Sequence, residues 1–357
     1  MADLMPIHVL AQFDLLSGPI KIDRWGEGHI HETFLVETES RRPDYILQKI
    51  NHHIFRDIPG MMRNIEIVTR HIRQKLEVLP GHDPDRSSLN LTFTRSGQSF
   101  YQDAEGNFWR MFVFIPDTDT YQVMHDPMLG YEAGKCIGSF QSMLSGLETP
   151  LVETIPDFHN IDMRINQFNA AKSTDPALRA GEAKAGIAFA EERFPEMRSY
   201  YHSLKEKAVI RATHNDTKLN NILFDKHKKA LCLIDLDTVM PGYVHFDYGD
   251  ALRTMANTAI EDETDLSRVQ FYVEVYDHFT RGYLETAGDI LSYEERQLLP
   301  YAPIYMTFII GLRFLTDYLN GDTYYRIHRP KHNMERAGVQ FKLVSEMEQS
   351  LNYRRKN

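Results

Sequence analysis

Three oxygen-bearing side chains stand close enough together in the chain to act in combination. Asp216 and Asn221 are separated by four residues, and Asp235 follows Asp216 by nineteen residues. A carboxylate can orient an alcohol and accept its proton, whereas a second carboxylate and an amide carbonyl are hard oxygen ligands for Mg²⁺. Phosphoryl transfer needs this combination, because it depends on positioning and on neutralising phosphate charge. We therefore predict that Asp216 is a catalytic base and that Asn221 and Asp235 hold a metal ion.

Two apolar segments are expected to position these side chains. Residues 221–224 and 230–234 are predicted strands, and a hairpin made from them would bring the loop of Asp216 beside Asp235. Taken singly, a helix cap for Asp216 and a simple strand end for Asp235 are the more frequent explanations, but the residues taken jointly, with both apolar strands in place, favour the catalytic interpretation. Asp237 lies two residues further on. We assign it to the substrate site, with a second metal ligand as the alternative.

The predicted secondary structure changes near residue 115, from mostly strands to mostly helices. Six earlier segments have the composition of strands: 21–25, 33–38, 45–50, 89–93, 99–101 and 108–115. Four segments have apolar residues at helical spacing, one before this point and three after it: 61–76, 131–147, 161–171 and 183–207. From residue 252 onward the pattern is again helical. We predict an α+β fold of two lobes, with a β-rich nucleotide-binding lobe at 1–115 and a helical lobe at 116–357 that carries the catalytic loop.

Composition excludes several classes of protein. Hydrophobic residues make up 42% and charged residues 25%, and the net charge of −10 argues against a nucleic-acid partner, which would favour a basic surface. The two cysteines cannot form a disulfide framework. The segment 303–315 is interrupted by Arg313 and is too short for a membrane span, and the first residues do not resemble a signal peptide. We expect a cytoplasmic protein without a membrane partner.

The motif around Asp216 resembles a known superfamily. The spacing D-x-x-x-x-N followed by a strand and an Asp is that of a kinase catalytic loop. The sequence His214-Asn215-Asp216, with Asp235 and Asp237 downstream, is similar to the aminoglycoside phosphotransferase and choline kinase superfamily. This resemblance implies a bilobal protein-kinase-like fold and the use of ATP and Mg²⁺. It also implies that Asp247 and Asp250 brace the catalytic loop; Asp250 precedes a predicted helix and is expected to cap it.

Two further segments are candidates for the nucleotide site. Gly26 and Gly28 lie between two predicted strands, where a glycine turn can cover phosphates, although a plain hairpin turn is the more frequent cause of such a pattern. Phe114 and Ile115 lie at the junction of the lobes. We predict that they form the adenine hinge, with backbone hydrogen bonds beneath apolar side chains.

The third strand departs from the kinase pattern. A kinase normally has a lysine there that pairs with a glutamate on the next helix. Glu66 is well placed on that helix, but Gln48 occupies the strand position and Lys49 follows it. Because neighbouring side chains on a strand point to opposite faces, only one of the two can face the cleft. We assign Gln48 and Glu66 to the nucleotide site and leave open whether Gln48 or Lys49 contacts phosphate.

Within the superfamily the chain resembles the N-acetylhexosamine 1-kinases. The resemblance extends through most of the length: residues 26–30, 45–48, 62–66, 213–223, 234–242, 252–253 and 313–322, and Tyr324. It implies phosphorylation of the anomeric hydroxyl of N-acetylglucosamine or N-acetylgalactosamine, with Asp216 as the base and Asn221 and Asp235 on magnesium. It also implies that His29, Arg313 and Tyr324 contact the sugar.

Other acceptors and one inactive alternative remain open at this point. Choline, homoserine, a methylthiopentose or an aminoglycoside would preserve the chemistry. Choline favours an aromatic cage and an aminoglycoside favours carboxylates, whereas Arg313 favours a neutral or anionic ligand rich in oxygen. Gln48 in place of the kinase lysine also suggests a catalytically inactive nucleotide-binding protein. The intact Asp216, Asn221 and Asp235 argue against that alternative.

Overall fold

The computed structural model describes residues 6–26, 30–39 and 43–356, of which 352–356 are described by their backbone alone. The strands are β1 (Pro19–Arg24), β2 (Glu32–Thr38), β3 (Tyr45–Ile50), β4 (Leu91–Thr92), β5 (Tyr101–Gln102), β6 (Phe108–Val113), β7 (Thr118–Asp119), β8 (Arg211–Thr213), β9 (Ile222–Asp225), β10 (Ala230–Leu233) and β11 (Met240–Gly242). The helices are α1 (Ile7–Leu10), α2 (Ile58–Leu76), α3 (Pro84–Ser87), α4 (Pro127–Leu144), α5 (Ile161–Thr174), α6 (Lys184–Lys207), α7 (Val244–Met255), α8 (Val273–Ala287), α9 (Tyr293–Leu298), α10 (Ala302–Leu319) and α11 (His332–Lys356).

The first third of the chain forms an antiparallel sheet in the order β1-β2-β3-β6-β4, with β5 also paired to β6. The alternation of side chains along each strand gives the sheet two different faces. Tyr45, Leu47 and Trp109 pack in a small core on the face that carries α1. Ile50 and Phe112 point the other way, into the large core that includes α2. The cleft side of the sheet is therefore the side of the even-numbered residues of β3 and β6.

The remaining chain is mostly helical and packs around α10. Almost every side chain of α10 is buried, and the helix contacts α5, α7 and α11. The stretch Tyr293–Leu319 is long and apolar enough to span a membrane by length and composition, but 78% of its most apolar window is buried inside the protein. An apolar helix enclosed by other helices is the expected centre of a water-exposed domain, so its hydropathy is explained by burial.

Two short antiparallel strand pairs lie between α6 and α7 and hold the predicted catalytic segment. Strand β9 pairs with β10 and also with β7, while β8 pairs with β11. The loop from β8 to β9 contains residues 214–221, and the turn after β10 contains residues 234–239. Because β8 and β11 are adjacent, the two loops emerge side by side.

Helices α4 and α8 approach each other closely through glycines. A side-chain carbon at Gly134 would overlap the carbonyl oxygen of Phe279 and would lie 2.8 Å from the nitrogen of Tyr283. Gly282 presents the same situation against the backbone of Tyr131. Only glycine permits such backbone contact, so these positions set the distance between the two helices.

The predicted fold class is confirmed: a β-sheet region comes first and a helical region follows. The boundary between 1–115 and 116–357 stays a prediction. One local expectation was wrong. Asp250 does not precede a helix, because α7 begins at Val244 and Asp250 lies inside it, where its carboxylate accepts a hydrogen bond from Arg253 Nε at 2.8 Å. The strand predicted at 89–93 is also shorter, since only Leu91–Thr92 pairs with β6.

We expect Gly134→Ala to lower the free energy of unfolding by about 1–3 kcal/mol, because the added carbon forces α4 and α8 apart. Urea or thermal denaturation followed by circular dichroism measures this loss. Gly186→Ala in α6 is the matched control, since a side-chain carbon there would lie 3.5 Å from Leu315 in ordinary contact. The control variant should be as stable as the parent or slightly more stable. Equal denaturation midpoints for Gly134→Ala and the parent would contradict the close-packing argument.

Candidate functional site

The loop after β8, which the sequence analysis predicts to be catalytic and which is called the catalytic loop below, is held by a buried carboxylate from α7. Asp247 accepts hydrogen bonds from the backbone N–H of His214 at 3.0 Å and of Asn215 at 2.7 Å. Asn215 adopts a left-handed backbone with φ of 65°, and its side-chain amide donates to the carbonyl oxygen of Thr238 at 3.0 Å. Asparagine tolerates this conformation better than most residues. These bonds define the path of the chain immediately before Asp216.

The imidazole of His214 is also fixed in the loop. Its Nδ1 accepts from the backbone N–H of Asp216 at 3.3 Å, so its Nε2 carries the hydrogen and donates to the carbonyl of Ile234 at 3.0 Å. The ring therefore links the catalytic loop to the strand end that precedes Asp235. His214 is fully buried, and its role in the structure is to join the two loops.

Asp216 lies at the tip of the loop with one oxygen engaged by the protein. Its Oδ2 pairs with Lys218 Nζ at 3.0 Å and accepts from Asn221 Nδ2 at 3.2 Å. Burial by itself raises the pKa of the Asp216 carboxyl, but the charge of Lys218 and the hydrogen bond from it outweigh burial, and the pKa lies below its ordinary value. Asp216 is therefore ionised at neutral pH, as a proton acceptor must be.

Asn221 and Asp235 come together at the end of the β9–β10 hairpin. The carbonyl of Asn221 accepts from the N–H of Ile234 at 2.9 Å, directly before Asp235. Since the amide nitrogen of Asn221 donates to the Asp216 carbonyl at 2.9 Å, its side-chain oxygen is the atom that remains for a cation. Asp235 has a left-handed backbone with φ of 62°, which turns its carboxylate out of the strand. Burial and then the charge of Asp237 raise the pKa of Asp235.

These donors fit a magnesium ion. Ligand atoms of His31, Asp235 and Asp237 lie within 4.8 Å of one another, and Asn221 adds an amide oxygen. Mg²⁺ prefers carboxylate and carbonyl oxygens and keeps several waters, so a site with few protein ligands is adequate. The arrangement brings Asp216, Asn221 and Asp235 to one place, as the sequence predicted. Their chemical roles stay predictions.

Asp237 is engaged by the sheet. Its Oδ1 accepts from Arg110 Nη1 and its Oδ2 pairs with His31 Nε2, and its side chain is 2% exposed. Burial raises the pKa of Asp237, but the nearby Arg110 and His31 more than reverse this and hold the pKa well below its ordinary value. Both oxygens thus have protein partners, and a contact between Asp237 and the acceptor remains a prediction.

Gln48 and Glu66 occupy the positions of the lysine and the glutamate that pair in kinases, but here they have different partners. Gln48 faces the cleft, donates to Thr33 Oγ1 at 3.2 Å and accepts from Arg110 Nε at 2.9 Å. Glu66 instead pairs with Arg70, one turn further along α2. Lys49 lies on the opposite face of the sheet, with its Nζ 5.8 Å from the centroid of the Trp109 ring. Of the two strand residues, Gln48 is therefore the one on the cleft side.

The predicted hinge contacts Asp44 and Trp25. The backbone N–H of Phe114 donates to the carbonyl of Asp44 at 2.8 Å, so this amide is already used. The ring of Phe114 lies 5.6 Å from that of Trp25 in an edge-to-face contact, and Ile115 is 4% exposed. Trp25 is 45% exposed, so a large part of its ring is accessible to a ligand. The sequence analysis did not identify Trp25.

Gly26 follows Trp25 in a left-handed conformation with φ of 72°. A cavity of about 460 Å³ is lined there by Gly26, His31, Asn51 and other residues of the sheet, together with Arg326 from the helical region. As far as the described residues show, this cavity lies on the sheet side, and Asp216 and Asp235 do not line it. The predicted residues Gly28 and His29 lie outside the described residues.

Arg313 lies in an aromatic environment beside the catalytic loop. The carbon of its guanidinium is 4.9 Å from the ring centroid of Phe158, 5.6 Å from that of Tyr325 and 5.8 Å from that of Tyr324. Burial lowers the pKa of Arg313, but Tyr325, Tyr324 and Asp216 outweigh burial and raise it. The structure thus brings together Arg313, Tyr324 and Asp216, which the resemblance assigned to one acceptor site.

The segment of Tyr324 is organised by a buried carboxylate that the sequence analysis missed. Asp317 accepts from the backbone N–H of Thr323, Tyr324 and Tyr325 at 2.8–2.9 Å, and from Asn333 Nδ2 at 2.9 Å. Such a set of donors holds a turn in one conformation. Asp317 lies one helical turn after Arg313, so both side chains project from the same side of α10. This spacing could have identified Asp317 from the sequence.

A second arginine near Arg313 was also missed. Arg164 donates from Nη2 to the carbonyl of Phe158 at 2.7 Å. Burial and then the charge of Arg313 lower the pKa of Arg164 to about 10, so the two guanidiniums interact. The same two influences lower the pKa of His159 to about 3, which keeps this buried imidazole neutral. Arg164 and Arg313 therefore place two positive charges on this side of the site.

The sequence and the fold were compared with known proteins. The model of the phosphotransferase enzyme family matches residues 21–288, more than half of the chain. A microcompartment-associated aminopropanol kinase has 14% identity and a TM-score of 0.58, covering 98% of this chain and 97% of that one. Choline kinase from Cryptosporidium parvum Iowa II has 12% identity and a TM-score of 0.59, covering 94% and 90%.

A spectinomycin phosphotransferase, solved in complex with ADP and spectinomycin, has 12% identity and a TM-score of 0.52, covering 95% of this chain and 98% of that one. At such identities the likeness shows the fold, and it confirms the protein-kinase-like arrangement predicted from the sequence. The family match includes every element that holds Asp216, Asn221 and Asp235. This chain belongs to the phosphotransferase enzyme family.

Proposed function

We propose that this chain is a kinase that uses ATP and Mg²⁺ to phosphorylate the anomeric hydroxyl of an N-acetylhexosamine, giving the sugar 1-phosphate. The observation that carries the proposal is the convergence of Asp216, Asn221 and Asp235 at the end of one hairpin, inside a phosphotransferase fold. N-acetylglucosamine and N-acetylgalactosamine are the acceptors that the resemblance favours. The arginine and tyrosines beside Asp216 are compatible with either sugar.

The nucleotide is assigned to the cleft between the sheet and the catalytic hairpins. The rings of Trp25 and Phe114 contact each other edge to face, and together they offer an aromatic surface on which adenine could pack. Because the Phe114 amide is used within the protein, we assign the hinge hydrogen bonds to the Phe114 carbonyl and the Ile115 amide. Gly26 would lie at the turn over the phosphates. The ADP complex of the spectinomycin phosphotransferase supports an adenine nucleotide in this fold.

Asn221, Asp235 and Asp216 have different roles in the proposed reaction. Asn221 and Asp235 would hold Mg²⁺, which when bound neutralises and aligns the phosphates. Asp216 Oδ2 is occupied by Lys218 and Asn221, which leaves Oδ1 to accept the proton of the acceptor hydroxyl. Because Lys218 keeps Asp216 ionised, this oxygen is ready to take the proton at neutral pH.

The acceptor is assigned to the helical side. The guanidinium of Arg313 is a suitable donor to the acetamido carbonyl or to a ring hydroxyl, and the hydroxyl of Tyr324 is a second polar contact. His29 is assigned to the sugar on the resemblance alone. Choline would require an aromatic cage for its ammonium group, but here Phe158, Tyr324 and Tyr325 surround Arg313 itself. This favours a sugar over choline or a cationic aminoglycoside.

Substitution of the two carboxylates should separate their roles. We expect Asp216→Ala to reduce kcat by about 10²–10⁴-fold, as for loss of a positioned base. Asp235→Ala should reduce activity at least as far, because positioning and charge neutralisation are both lost. Calorimetry should show that Asp216→Ala retains magnesium-dependent ADP binding and that Asp235→Ala loses the dependence on magnesium. The exposed Asp289→Ala is the control and should behave as the parent. Near-parental turnover of Asp235→Ala would remove the metal assignment.

The product identifies the reaction. Incubation with ATP, Mg²⁺ and a panel of N-acetylglucosamine, N-acetylgalactosamine, N-acetylmannosamine, glucose, galactose and choline should give a sugar 1-phosphate with the first two. Phosphorus NMR distinguishes phosphate on the anomeric oxygen from phosphate on oxygen 6 by its coupling to the anomeric proton. A 6-phosphate would contradict the regiochemistry and preserve the kinase, whereas transfer to choline alone would contradict the sugar assignment.

Loss of the guanidinium at Arg313 should weaken sugar binding selectively. We expect Arg313→Met to raise the KM for the sugar by about 10-fold or more, because a charge-assisted hydrogen bond is lost, and to leave the KM for ATP within about 2-fold. Steady-state kinetics with each substrate varied in turn measures both constants. Arg268→Met is the control, since the side chain of Arg268 is 70% exposed. An equal rise in both KM values would show that Arg313 acts on the fold and not on the acceptor.

A further inference from the structure

The cleft face of the sheet carries a buried arginine opposite Gln48. In the register of β3 and β6, Gln48 pairs directly with Arg110, and the Nε of Arg110 donates to the Gln48 amide oxygen at 2.9 Å. Neighbouring strands place such paired side chains on the same face, close enough to touch. Arg110 is 1% exposed and is among the largest fully buried side chains of the protein.

A buried guanidinium is costly unless a carboxylate compensates it, and here that carboxylate is Asp237. Asp237 follows the proposed metal ligand Asp235 by two residues, and ligand atoms of the two aspartates lie within 4.8 Å of each other. The charge of Arg110 is therefore located beside the proposed metal ion. Phosphate groups of a bound nucleotide would lie at the same place, because the metal bridges them.

We propose that Arg110 and Asp237 form the ion pair of the nucleotide phosphate site in this chain, with Gln48 orienting the arginine. In protein kinases a strand lysine and a helix glutamate form this pair. Here the cation has moved from β3 to the neighbouring strand β6, and the carboxylate comes from the turn after β10. The separation of Glu66 from Gln48 is then explained, since Glu66 pairs with Arg70 and is not needed in the cleft.

Arginine is chemically suited to this task. Its planar guanidinium has several N–H donors in fixed directions, so it can bond Gln48 and Asp237 and still present donors to phosphate oxygens. A lysine at position 110 would have one nitrogen for all three partners. The glutamine at position 48 is consequently a part of the site, because its carbonyl accepts from Arg110 and a lysine there would repel it. This inference rests on the proposed nucleotide site and is independent of the acceptor.

The alternative is that the pair only joins the sheet to the catalytic turn. Arg110→Gln alone does not separate the two, because it leaves Asp237 buried without its partner and can destabilise the fold. The variant Arg110→Gln/Asp237→Asn removes both charges together. If the pair is only architectural, this neutral variant should bind ADP as the parent does.

The test measures the affinity of the parent and the neutral variant for ADP with Mg²⁺ and for adenosine, by calorimetry, with thermal denaturation as the check on folding. We expect the neutral variant to be folded, to bind adenosine as the parent does and to bind ADP about 10–100-fold more weakly, because a charge-assisted contact to phosphate is lost. Adding Gln48→Lys to the neutral variant should restore part of the ADP affinity, because it returns a cation to the strand.

Two results would overturn the inference. One is an unchanged affinity for ADP in the neutral variant; the other is an equal loss for ADP and adenosine, which would indicate a general change of the cleft. Failure of the parent to bind ADP at all would refute the proposed nucleotide site itself, and is thus distinguishable from failure of the inference. Arg110→Lys should bind ADP with intermediate affinity, since it keeps the charge and loses the fork of donors.

Discussion

A carboxylate enclosed in a helical core must find hydrogen-bond donors, and Asp247 finds them in the backbone of the catalytic loop. It also accepts from Gln141 Nε2 at 2.9 Å, and Gln141 in turn accepts from the hydroxyl of Tyr283 at 2.5 Å. Gln141 belongs to α4 and Tyr283 to α8, the two helices that meet through glycines. The close packing of these helices therefore reaches Asp216 through a continuous series of buried polar contacts. Because each donor in the series is oriented by the next, the helical core determines the position of Asp216, the proposed base.

The three residues 237–239 connect that core to the sheet. Asp237 pairs with Arg110, the hydroxyl of Thr238 donates to the carbonyl of His214 at 2.6 Å, and the carbonyl of Val239 accepts from Asn64 Nδ2 at 2.9 Å. Asn64 is fully buried in α2. The sheet, its helix and the catalytic loop are thus attached to one short segment next to the proposed metal ligand. A displacement of the sheet would be transmitted to Asp235, because these buried contacts are costly to break.

The sequence predicts contacts between residues that are close together in the chain better than contacts between residues that are far apart. The β9–β10 hairpin, and the meeting of Asp216, Asn221 and Asp235 on it, follow from strands and loops within twenty-five residues of one another. Helical spacing identified α2, and the four-residue spacing of Glu66 and Arg70 was a usable signal for the pair that they form. Asp250 was misplaced because the apolar pattern of α7 begins earlier than the aspartates suggested.

Contacts across long separations were not accessible from the sequence. Arg110 and Asp237 are 127 residues apart, and no local pattern marks either as the partner of the other. Trp25, directly after β1, and Phe114, directly after β6, likewise meet only in the folded protein, since β2 and β3 lie between those two strands in the sheet. The sequence shows a glutamine at position 48 in place of the kinase lysine, but the explanation that we propose required the register of β3 against β6.

The charge in the proposed acceptor site gives a physical reason to expect a sugar there. Within the described part of the chain neither Arg164 nor Arg313 forms a salt bridge with a carboxylate, and each depends on aromatic rings or carbonyl oxygens instead. Two guanidiniums that repel each other favour a ligand with electron-rich oxygens and oppose a ligand with an ammonium group. Two carboxylates act on these arginines, Asp157 on Arg164 and Asp216 on Arg313, and Lys218 already pairs with Asp216. In the proposed acceptor site an ammonium-bearing alcohol would meet the repulsion of both guanidiniums, whereas a sugar with an acetamido carbonyl would supply them with a further acceptor.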